Sequence, residues 1–64
     1  MNIFKDMGYN VEFKNDVYTL KNKDKIIRII LNSNIYEINN KLHYLNSMIW
    51  EDCIPDELIK ILNK

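Results

Sequence analysis

The spacing of apolar positions changes along the chain, and each change predicts an element. Ile3, Phe4 and Met7 fall on one face at helical spacing. Asn2 is suited to an N-cap and Gly8 to a left-handed position just past the end, so residues 2–8 are expected to form one or two helical turns. So short a helix melts alone, which requires Phe4 and Met7 to dock on something behind it. After Gly8 the period becomes two, with Tyr9, Val11 and Phe13 alternating with Asn10, Glu12 and Lys14, the pattern of a half-buried strand over 9–14. Asn15 and Asp16 tolerate positive φ and predict a two-residue turn into Val17-Tyr18-Thr19-Leu20.

A second polar turn, Asn22-Lys23-Asp24, precedes Ile26-Ile27-Arg28-Ile29-Ile30-Leu31, whose β-branched density argues for a strand at the centre of the sheet. Arg28 marks Ile26, Arg28 and Ile30 as the wetter face and leaves Ile27, Ile29 and Leu31 for the core. A slip of one residue would bury Arg28, so the register is well defined. Asn32-Ser33-Asn34 is expected to turn the chain into Ile35-Tyr36-Glu37-Ile38, and Asn39-Asn40 into Lys41-Leu42-His43-Tyr44. Beyond that point two patterns compete. The strand is expected to run to about Tyr44, while Leu42, Leu45, Ile49 and Cys53 also satisfy a helical stripe, and residues 45–54 stay open between strand, loop and helix.

The closing segment reads as a helix, with Pro55 at a first-turn position. Asp56 and Glu57 lie at the positive end of its dipole and Lys60 and Lys64 toward the negative end. Leu58, Ile61 and Leu62 form its apolar stripe, with Ile59 beside them. The expected fold is therefore α+β: a short N-terminal helix, an antiparallel β-meander of four or five strands, and a C-terminal helix packed on one face, within a single small domain spanning residues 1–64.

Length adds an energetic constraint. A 64-residue chain, 47% apolar, buries only about 60% of its unfolded surface, and burial minus chain entropy lands near zero. One cysteine excludes an intrachain disulfide, so self-association, a host partner or unusually good local packing must supply the margin. The single thiol, the lack of any apolar run near the roughly 18 residues of a membrane span, and an N-terminus without a basic region leading into an apolar stretch predict a cytoplasmic protein.

Nine Lys and Arg balance nine Asp and Glu, but unevenly. Residues 1–34 carry six basic against four acidic side chains, and residues 35–64 carry three against five. The acids of the second half crowd around Trp50 and Cys53: Glu51, Asp52, Asp56 and Glu57. An indole beside uncompensated carboxylates joins an anchoring ring to steering charge, which makes Trp50, Glu51, Asp52, Asp56 and Glu57 the candidate partner-binding residues. The alternative is a Trp50 ring packed under the last helix, with the four acids serving that helix's start. Lys21, Lys23, Lys25 and Arg28, interrupted only by Asp24, form a local basic run with Tyr9 and Tyr18 near it. Such a hairpin can hold single-stranded nucleic acid, or it is a solvated tip that guards a sheet edge.

Catalytic chemistry finds little footing. Gly8 is the only glycine, so no glycine-rich phosphate loop exists. His43 and Cys53 are the only residues of their kinds. They are too few for a closed zinc site, and they read more simply as a sheet histidine and a half-buried thiol than as a nucleophile and base. The acids lack the alternating ligands and mid-loop glycine of a calcium loop. No cofactor, no metal and no enzymatic activity are expected.

The opening Phe4-Lys5-Asp6-Met7-Gly8-Tyr9, the short strands punctuated by Asn, Asp and Lys, and the closing helix resemble small accessory proteins of phages and prophages in AT-rich Gram-positive bacteria. Such a genome accords with Asn, Ile and Lys making up 29 of the 64 residues. The C-terminus departs from that pattern, ending Ile61-Leu62-Asn63-Lys64 where a Gly-Trp is usual. The resemblance implies a mobile-element protein that binds and blocks a host or defence component. Three functions follow as expectations: an inhibitor of a bacterial defence system acting through the Trp50 region, a single-stranded nucleic-acid-binding accessory using the Lys-rich hairpin, or a homo-oligomeric structural protein joined through a strand edge or an exposed Ile-rich face.

Overall fold

Asn2 starts the first helix as an N-cap: its side-chain Oδ1 accepts from the Phe4 N–H at 2.9 Å, and helix α1 runs Ile3–Asp6. The computed structural model describes residues 2–63. The end of α1 shows why a glycine stands at position 8. The Tyr9 N–H donates to the Phe4 carbonyl and the Gly8 N–H to the Lys5 carbonyl, a Schellman closure that needs positive φ at Gly8, where φ is 95°. Phe4 and Tyr9, the two residues this closure brings together, are both buried. Gly8→Ala meets no steric neighbour but adopts that φ at a cost of about 1 kcal/mol, so thermal denaturation should show the midpoint ~4–8 °C lower.

Five strands follow: β1 Asn10–Lys14, β2 Val17–Asn22, β3 Lys25–Ile30, β4 Ser33–Ile38 and β5 Lys41–Ile49. They pair antiparallel in chain order, so β3 is central and β1 and β5 are edges. The turns behave as the polar punctuation predicts. Asn15 and Asp16 both have positive φ, as do Asn39 and Asn40, and Lys23 and Asn32 do so singly. Asn39 also extends the β3–β4 ladder, since its side-chain Oδ1 accepts from the Ile26 N–H while its own N–H donates to the Ile26 carbonyl. One expectation is corrected here: the third turn is Leu31-Asn32, and β4 begins already at Ser33. Ser33 Oγ donates to the Ile30 carbonyl and accepts from the Ile35 N–H, which holds the strand start where a loop was expected.

Register lines up one side of the sheet across all strands. Phe13, Tyr18, Ile29, Tyr36 and His43 form one row, and Val11, Leu20, Ile27, Ile38 and Lys41 the next. Both helices cover this side. Phe4 of α1 meets Tyr18 edge-on with ring centroids 5.5 Å apart, and Leu58 and Leu62 of α2, which runs Asp56–Leu62, are buried in the same cluster as Leu20, Ile27, Ile29 and Leu31. Ile27, Ile29 and Leu31 face the core, while Ile26 and Arg28 are exposed and Ile30 is half-buried on the other side. Ile3, expected on the buried stripe of α1, is exposed instead, because a four-residue helix presents only the Phe4 side to the sheet.

The C-terminal helix differs in two details. Pro55 occupies the N-cap, with extended backbone and no side-chain hydrogen bond, rather than the first turn; its carbonyl accepts from Leu58 and Ile59. Lys64 lies outside the described residues. The buried Tyr9 hydroxyl donates to the Leu62 carbonyl at 3.2 Å, tying the end of α2 to the start of β1. Tyr9→Phe removes this one bond and should cost about 1 kcal/mol in urea denaturation, with no change in secondary structure by circular dichroism.

Candidate partner-binding surface

The strand that leads to Trp50 is longer than its sequence suggests. β5 continues past Tyr44 to Ile49, so residues 45–49 are strand and the helical stripe does not form: Leu45 and Ile49 are buried, while Leu42 and Cys53 are exposed. Pairing is irregular there. Ile35 faces Tyr44 and Ser33 faces Ile49, so four residues of β5 oppose the single Asn34 of β4. The Asn34 side-chain amide fills the gap by donating to the Leu45 carbonyl at 2.9 Å. On the outer side, the Glu57 carboxylate accepts from the Asn46 N–H at 3.1 Å and from the Asn46 side-chain amide at 3.5 Å. The first turn of α2 thereby occupies a backbone donor that an edge strand would leave open.

Trp50 stands immediately beyond this bulge. Its N–H and carbonyl exchange hydrogen bonds with those of Cys53 at 3.3 and 3.1 Å, closing a tight turn whose two tip residues are Glu51 and Asp52. The Trp50 ring is not packed under α2: the residue is 45% exposed, and Glu51, Asp52, Cys53 and Asp56 are exposed with it. Cys53 is thus an exposed thiol rather than a half-buried one. A cleft of about 490 Å³ lies between β5 and α2, with Met48, Trp50, Pro55 and Asp56 among its walls. A second cleft of similar size opens on the other flank of the turn, where Asp6 of α1 joins Glu51, Asp52 and Tyr18.

Of the five residues singled out from sequence, four therefore project from one pinned corner. Glu57 divides its role, since its carboxylate is committed to Asn46. Sequence patterning could not show that bond, which joins a bulge to a helix eleven residues later. It also missed Met48, exposed on β5; its even spacing from Leu42 would have shown it had the strand been extended past Tyr44.

The acidic corner acts on two tyrosines. Burial raises the Tyr18 phenol above its usual value of 10.0, and the negative charge of Glu51 adds to this. Tyr36 is raised in the same direction by burial, then by Glu57. Both phenols titrate higher in the folded than in the unfolded chain, so their contribution to stability is complete below about pH 10 and is lost as pH rises through the folded values. Stability measured by denaturation should fall above that pH, and the Tyr36→Phe variant should show a shallower fall. The ring of Tyr36 stacks on His43 with centroids 5.1 Å apart, which accounts for His43 as a sheet residue.

The basic run is not assembled into one surface. Lys21 and Arg28 lie on the uncovered side of the sheet, Lys23 sits at the hairpin tip, and Lys25 begins β3 with a half-buried side chain. Arg28 Nη1 lies 3.7 Å from Glu37 Oε1 on the neighbouring strand. Tyr9 is buried and Tyr18 is held between Phe4 and Phe13 on the helix-covered side, so neither ring is offered beside the lysines. Among the described residues, no three His, Cys, Asp or Glu side chains gather in a metal-binding geometry, and no helix is long and apolar enough to cross a membrane.

No protein-family model matches this sequence, and no curated protein or solved structure shows significant similarity to it.

Proposed function

We propose that the chain is a non-enzymatic protein-binding module whose Trp50 corner engages a basic surface on its partner. The observation that carries this reading is the half-exposed indole held on a hydrogen-bonded turn, with Glu51 and Asp52 at the tip and Asp56 beside it. A tryptophan on a pinned turn contributes contact area at little ordering cost, and flanking carboxylates steer a cationic partner toward it. The resemblance of Phe4–Tyr9 to phage and prophage accessory proteins supports a finer version: an inhibitor, acting in the cytoplasm of the host bacterium, that binds and blocks a defence protein.

The test is affinity capture by the tagged full chain from a nuclease-treated lysate of an AT-rich Gram-positive host, run beside the charge-reversed variant Glu51→Lys/Asp52→Lys. Both positions are exposed and free of the Asn46 contact, so the variant should fold normally. One stoichiometric protein, retained by the wild-type chain and released by the variant, is the expected result. Equal retention by both chains would remove the Trp50 corner from the reading. Partners captured only from an untreated lysate run in parallel, and none after nuclease, would replace it with a nucleic-acid reading.

A further inference from the structure

Both helices cover the same side of the sheet, and the opposite side is left bare although much of it is apolar. Val17 faces Ile30 and Ile35 faces Tyr44 across the strands, with Leu42 beside Glu37 and Ile26 beside Lys21 on the same side. Leu42 is 52% exposed, Tyr44 64% and Ile26 45%, and all three stand on this one side of the sheet.

We propose that a second copy of this chain packs on this open sheet face, forming a two-fold dimer in which two sheets lie face to face and the helices stay outside. Three observations select a second copy as the occupant. The first is charge. The centre of the face holds Arg28 and Glu37, paired at 3.7 Å on adjacent strands, one cation and one anion side by side. A two-fold axis near them sets each Arg28 against the other chain's Glu37, so the face complements itself, and a chain with no net charge does not repel its copy.

The second is area. Five strands ~4.8 Å apart and about six residues long offer roughly 400 Å² in projection, enough for a small dimer interface whose occupancy rises with chain concentration. The third is the state of the edges. Glu57 occupies the Asn46 donor on β5, and Glu12 and Lys14, at the β1 margin of this same face, put charge on the other edge, which disfavours growth by strand addition and leaves the apolar part of the face as the route to association. Trp50, at the corner beyond the bulge, takes no part in the pairing of the two central charges.

Sedimentation or light scattering of the pure full chain, from micromolar to millimolar concentration, should show the mass rising to twice the 7.8 kDa of one chain. Tyr44→Lys and Leu42→Glu, each on an exposed position, should return the mass to one chain with an unchanged circular dichroism spectrum. The charge pair supplies a stricter test. Arg28→Glu alone and Glu37→Arg alone each set like charges across the two-fold and should be monomeric, whereas their equimolar mixture restores opposite charges in both contacts and should dimerise. Trp50→Ala should leave the mass doubled, which separates this proposal from the partner reading. A wild-type mass of 7.8 kDa throughout the range overturns the proposal, as does a dimer that survives Tyr44→Lys and Leu42→Glu together.

Discussion

Ile29→Ala should leave the chain largely unfolded at room temperature. Ile29 is 0% exposed at the middle of the central strand, between Tyr18 on β2 and Tyr36 on β4. Removing a buried isoleucine to its Cβ costs about 2–5 kcal/mol, because the lost transfer energy is joined by that of the cavity. The stiff aromatic rings on both sides restrict collapse into the space. A core of this size rarely supplies more than ~3–5 kcal/mol in total, so a single truncation consumes most or all of the margin. Far-UV circular dichroism and urea denaturation at fixed chain concentration would show this as loss of the sigmoidal transition. Ile3→Ala, at an exposed position of α1, is the matched control and should stay within ~0.5 kcal/mol of wild type. A cooperative transition retained in Ile29→Ala with its midpoint unmoved would mean that the Phe13-to-His43 row does not hold the sheet to its helices.

Trp50→Ala should have the opposite profile, with a large effect on binding and little on the fold. The ring is half-exposed, and the turn that presents it is closed by backbone hydrogen bonds that alanine preserves. Stability should therefore change by less than ~1 kcal/mol. A tryptophan at an interface centre is worth about 2 kcal/mol or more when truncated, which corresponds to a ~30-fold weaker dissociation constant. Titration of the captured partner against wild-type and variant chains reads this directly. The Glu51 and Asp52 reversals should act chiefly through encounter, turning attraction to a basic surface into repulsion, so that association slows until the partner is not captured and added salt no longer weakens binding. An affinity unchanged in Trp50→Ala would assign the exposed ring no part in recognition.

Most of the fold was legible because its signals are local. Two-residue turns at Asn15-Asp16 and Asn39-Asn40 declare themselves through side chains that tolerate positive φ. Arg28 settles which side of β3 is buried, and Gly8 ends α1 where only a glycine sits easily. The stretch after Tyr44 was ambiguous for a physical reason. Leu45 and Ile49 are four apart, a spacing that suits one face of a helix and one face of a strand equally well. The choice falls to strand because Asn34 and Glu57 bond to the bulged segment from β4 and α2, groups eleven residues away on either side.

The candidate surface divides along the same line. That Trp50 stands among four acids is evident from composition, but whether its ring is core or surface depends on the bulge, which directs Ile49 inward and leaves Trp50 at the corner. The basic residues looked like one cluster because they are near in sequence; strand alternation separates them, and Glu37, nine residues from Arg28, reaches that side chain only across a ladder.

Alternation, β-branching, turn chemistry and capping act within a few residues, so the sequence by itself determined the order of elements, the inward side of each early strand and the α+β class. The length of β5, the exposure of Trp50, the capping of Asn46 by Glu57 and the bareness of one sheet side depend on which distant groups meet. Only tertiary packing decided those, because a capped edge donor or an uncovered apolar row is defined by what lies opposite it in space.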